Sequence, residues 1–143
     1  MMAFRFRLQS VLKLRESEKT SRQSELAEAL QADQILLEQR QKQEEQLQAI
    51  EVEIRDSIVN HVDVDFLLSL RRYQTDTRQT IRQIQTQREQ VAQEIERRQA
   101  RLANANQQVK IMETVRDQQK VQFDNRLAKI EQDALDEFRV KRT

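Results

Sequence analysis

The chain has 143 residues with no Gly, Pro, Cys or Trp, and charged residues make up 34% of it. A globular domain of this length needs turns, and turns draw on Gly, Pro, Asn and Asp, so the composition argues against a compact fold. Zero cysteines exclude a disulfide scaffold, a thiolate metal site and a cysteine nucleophile, and the formal charge of +1 gives no global attraction to nucleic acid or anionic lipid.

What remains is rich in Gln, Glu, Arg, Leu and Ala, all good helix formers. With 37% hydrophobic residues and a mean hydropathy of -0.88, such a chain buries a narrow stripe rather than a broad core. The expected fold is all-α: two long helices forming an antiparallel coiled-coil hairpin, with the second helix overhanging the first. It is read as one elongated domain, with helices over about 4–60 and 66–140 and a hinge over about 60–66.

The chain opens with "FRFRLQSVLKLRESEK", Phe4 to Lys19, which reads as a basic, leucine-bearing helix. There is no secretory-type apolar stretch and no 18-residue apolar run, so the expectation is a soluble, cytoplasmic chain. From Leu26 through Ala29, Asp33, Leu36, Arg40, Gln43, Leu47, Ile50 and Ile54 the spacing alternates between three and four, a heptad seam with a polar middle.

Between the heptad runs, "NHVDVDFLLSL" combines β-branched residues with capping aspartates, and Asp63 or Asp65 is the expected N-cap of the second helix. His61, Asp63 and Asp65 make an incomplete metal-ligand set, better explained by capping, so no metal is expected. The second seam runs from Ile81 and Ile84 through Arg88, Val91, Ile95, Arg98, Leu102, Ala105, Val109 and Met112 to Phe123.

Folding the seams together suggests a register with Leu47 on Ile84, Ile50 on Ile81, Leu36 on Ile95, Ala29 on Leu102 and Asp33 on Arg98. A one-heptad slip, placing Leu36 on Arg88 and Arg40 on Ile84, leaves charges facing apolar residues. Residues 25–56 carry 9 acids and 3 bases and residues 75–106 carry 4 acids and 6 bases, which favours pairing of the helices. The preferred register puts Arg15, Lys19 and Arg22 in a weak terminal seam. Beyond it, Leu127, Ile130, Ala134 and Phe138 form a stripe with no partner in the chain. Helices of roughly 60 residues imply a length on the order of 90 Å.

Paired carboxylates such as Glu44 with Glu45 and Asp136 with Glu137 fall on solvated faces, where no cleft fits them for acid–base chemistry. Without Gly there is no phosphate loop. No catalytic or cofactor-binding residues are expected. The basic start (Arg5, Arg7, Lys13, Arg15) leaves open a minor reading as a membrane-surface or nucleic-acid binder.

The opening Phe4, Phe6, Leu8, Val11 and Leu12, the "VKIMETVRDQQKVQFDNR" run and the closing Leu135, Asp136, Glu137 and Phe138 resemble the FliJ family of flagellar export proteins over nearly the whole chain. The resemblance implies a non-enzymatic, stalk-like component of the flagellar type III export apparatus, cytoplasmic at the membrane-proximal base of the flagellum. Implied partners are the hexameric export ATPase, the export gate membrane protein and export chaperones, with membrane association only through these and no nucleic acid. The implied ATPase-facing residues are Phe4, Phe6, Leu8, Leu12, Leu135, Asp136, Glu137 and Phe138, and the implied gate-facing residues are Leu70, Arg72 and Tyr73. The alternative is a structural coiled-coil adaptor or homodimer without an ATPase partner.

Overall fold

The computed structural model describes residues 3–60 and 63–142. Helix α1 spans Gln9–Asn60 and helix α2 spans Val64–Arg142, and the two pack antiparallel. The chain divides into two compact units: the terminal unit, Met1–Gln23 with Ala100–Thr143, and the hinge unit, Ser24–Gln99.

In the hinge unit, Ile50, Ile54 and Leu70 are buried together with Leu67 against them. Asp63 caps α2. Its Oδ1 accepts from the backbone N–H of Asp65 at 3.1 Å and of Phe66 at 3.4 Å, and its carbonyl accepts from Leu67 N at 2.9 Å. Helix α2 therefore starts two residues earlier than the sequence suggests, with Asp65 in the first turn and Arg139, Lys141 and Arg142 in the last, each complementing the helix dipole. Replacing Asp63 with Ala removes the cap and should cost about 1 kcal/mol in urea unfolding, most of it recovered by Asp63→Asn. Equal losses for both variants would show that the carboxylate's charge matters rather than its acceptor oxygen.

The register differs from the sequence expectation by about one heptad. Arg88 donates to Asp33 at 3.1 Å, Arg40 to Gln85 at 2.6 Å, and Arg98 donates to the Glu25 carbonyl rather than pairing with Asp33. The cause is the short connection. With α1 ending at Asn60 and α2 starting at Val64, only residues 61–63 join the helices, and the pairing is centred there. The expected charge penalty does not arise, because arginine stems span a turn and reach acceptors diagonal to their own positions. The Asp33 hydrogen bond, ahead of the burial that opposes it, raises the Arg88 pKa. The Glu94 carboxyl is held below its ordinary range first by hydrogen bonds from Arg97 and Arg98.

Gln74 and Thr77 are buried in this polar seam, and both are satisfied: Arg71 donates to Gln74 Oε1 at 3.1 Å and Thr77 Oγ1 donates to the Tyr73 carbonyl at 2.8 Å. Thr20, Thr75, Thr80, Thr86 and Thr114 also donate to the carbonyl four residues back, which satisfies their hydroxyls inside the helices. Among the described residues no buried side-chain polar atom lacks a hydrogen-bond partner.

In the terminal unit, α1 begins at Gln9 rather than near Phe4. The preceding residues alternate with a period of two: Phe6 is buried and Phe4 and Leu8 half-buried, while Arg5 and Arg7 are exposed. That alternation fits an extended stretch over residues 3–6 with one face covered, and residues 7–8 form a turn, Gln9 N–H donating to the Phe6 carbonyl at 3.1 Å, that leads into α1. Phe6 and Leu12 are buried with Val109, and Phe4, Leu8, Met112 and Val115 pack against them. Leu12, 1% exposed, is the one large side chain among the described residues that is fully buried. This apolar cluster lies on the N-terminal side of the weak seam expected at Arg15, Lys19 and Arg22.

Candidate partner-binding surfaces

The extended start sets where the cover over α2 stops. With Leu12 against Val109, a helical continuation would bring Phe4 only to the level of Asp117. Ahead of the turn at residues 7–8, residues 3–6 are not helical and advance more than the about 1.5 Å per residue of a helix, and Phe4 reaches Phe123, ring centroids 5.7 Å apart and tilted by 53°. Arg5 and Arg126 flank the pair and, with Gln119 and Gln122, line a groove of about 450 Å³.

Past Phe123 the apolar face of α2 continues without α1. Leu127 is half-buried, Ile130 is 56% exposed, Leu135 57% and Phe138 58%. The Arg142 guanidinium lies 5.3 Å from the Phe138 ring centroid, and Asp136 accepts from Gln132 at 3.4 Å.

The two implied site sets therefore divide. Leu135, Asp136, Glu137 and Phe138 lie together on the uncovered part of α2. Phe4, Phe6, Leu8 and Leu12 instead belong to the covered cluster; they anchor the start of the chain and thereby define the edge of the open stripe. In the hinge unit Leu70 is buried against Ile50 and Ile54, whereas Arg72 is exposed. Tyr73 is 50% exposed, its hydroxyl donating to Gln46 Oε1 at 3.5 Å.

Sequence reasoning missed a second group of exposed apolar residues near the hinge: Ile58, Val59, Val64, Phe66 and Leu68. The available signal was the density of apolar residues there at positions outside the heptad seam. His61, considered with Asp63 and Asp65 as a metal ligand, lies outside the described residues. Among those described, no group of three or more His, Asp or Glu side chains is arranged to hold a metal ion, and no helix is long and apolar enough to cross a membrane.

Charge separates with the units. The terminal unit carries 15 Lys and Arg against 9 Asp and Glu, net +6, and the hinge unit 10 against 15, net -5. The overall +1 conceals two oppositely charged parts. These are features of a coiled-coil hairpin with open apolar and charged faces on its helices.

The chain belongs to the FliJ family: the family model described as flagellar FliJ protein matches residues 4–143. That membership makes it a component of the flagellar export apparatus, in a family of structural, non-catalytic proteins. No curated protein and no solved structure matches the chain.

Proposed function

We propose that this chain is a cytoplasmic stalk of the flagellar type III export machine, with its two helices acting as a single elongated domain. It binds the hexameric export ATPase through its terminal unit and promotes hydrolysis without catalysing anything itself. The hinge unit, through Arg72, Tyr73 and the neighbouring exposed apolar residues, contacts the export gate membrane protein, and escort chaperones bind along the helices. The chain sits at the membrane-proximal base of the flagellum through these partners alone.

The observation that carries this reading is the open stripe Leu127, Ile130, Ala134 and Phe138 on a unit with net charge +6. An apolar strip seeks cover, and the net positive charge of the unit, carried outside the charge-balanced residues 124–142, speeds encounter with an acidic partner surface. Gel filtration of the chain with its cognate ATPase should give a complex containing one chain per hexamer. Separate elution at micromolar concentrations of both would remove the ATPase from the list of partners.

A further inference from the structure

We propose that a second copy of this chain covers the open stripe in the free protein, the two overhanging segments of α2 pairing antiparallel about a two-fold axis. This rests on the terminal unit alone and not on the proposed function.

Three observations point to a copy of the same segment. The first is length. Beyond Phe123, α2 runs uncovered over the 19 residues from Asp124 to Arg142. An identical segment laid antiparallel matches that length end to end and stops where the extended start of the other copy begins.

The second is the apolar pattern. Leu127 and Phe138 are eleven residues apart, about three helical turns, and so share a face. In the antiparallel pairing Leu127 of each copy meets Phe138 of the other, and Ile130 falls between Ala134 and Leu135, each contact occurring twice. Leu135 extends the cover over Ile130.

The third is charge. Residues 124–142 hold 5 bases and 5 acids, so copies of a unit with net charge +6 approach through a neutral segment. Arg126 and Glu137 are also eleven residues apart on one flank of the stripe, and neither has an ion-pair partner within the chain among the described residues. Antiparallel helices place like flanks together, so Arg126 of each copy lies beside Glu137 of the other. A contact of three to four turns buries on the order of 1,000 Å² or less, the size of a transient interface. Self-association and any partner on this stripe exclude one another.

Sedimentation equilibrium of the intact chain at low salt tests the pairing. The mass should rise with concentration from 17.1 kDa toward twice that value, and added salt should weaken the association. Arg126→Glu and Glu137→Arg should each raise the dissociation constant about tenfold or more, since each change replaces two attractive pairs with two repulsive ones. The double reversal R126E/E137R should return it to within about threefold of the original, because the attraction is restored with its sign exchanged. Circular dichroism on each variant confirms that helicity is kept. A 17.1 kDa mass at all concentrations, or a dimer indifferent to the reversals, or single-variant defects that the double reversal does not repair, would overturn the pairing.

Discussion

Leu12→Ala should destabilise the terminal unit by about 2–3 kcal/mol, and the loss should be confined there. Leu12 is 1% exposed and sits between Phe6 and Val109. Truncating it removes the buried side chain and leaves a cavity that its neighbours fill only in part. In a two-helix structure with little core, that is a large fraction of the local stability. Amide hydrogen exchange separates local from global loss: protection should fall over residues 9–23 and 100–123 and persist over the hinge unit, where Ile50, Ile54 and Leu70 are untouched. Uniform loss along both helices would mean that the two units unfold as one.

The double substitution Leu135→Ala and Phe138→Ala should remove most of the stimulation of the export ATPase while leaving helix content unchanged. Both side chains are more than half exposed, so their removal exposes no cavity, and alanine is the best helix former. Phe138 also holds the Arg142 guanidinium against its ring; the variant loses the most prominent aromatic of the stripe together with the cation it orients. If each side chain enters a partner pocket, truncation costs about 1–2 kcal/mol apiece, on the order of a hundredfold in affinity for the pair. Helicity by circular dichroism and affinity by titration separate the two effects. Undiminished stimulation by the variant would place the contact elsewhere on the terminal unit, with Arg5 and Arg126 as the next residues to change.

The fold was legible because its signals are long-range and redundant. Seams repeating every three and four residues, no Gly or Pro in either helix, and aspartates at a single break all point to two helices and one hinge. The register was not legible, because it depended on the number of residues in the hinge. Directly opposed positions set Arg40 and Arg88 against apolar residues, while in the structure both reach diagonally to Gln85 and Asp33.

At the surfaces, the stripe from Leu127 to Phe138 could be read from the sequence as a seam that outlasts its partner. Phe4, Phe6, Leu8 and Leu12 pack within the terminal unit, a placement the sequence leaves open because apolar residues at a chain end have the same composition whether they meet a partner or fold back. Their period-two alternation, Phe-Arg-Phe-Arg-Leu, is the cue that α1 starts later, at Gln9, and it is fainter than the heptads that follow. Leu70 shows the same ambiguity at the hinge, where it packs against Ile50 and Ile54.

In the proposed function the chain acts through an uncovered face of its terminal unit on an export motor. The most direct test is the hydrolysis rate of the cognate export ATPase at fixed enzyme concentration as this chain is titrated in. The account predicts stimulation that saturates near one chain per hexamer. A rate that stays flat across the titration, with an ATPase shown to be active, would contradict it.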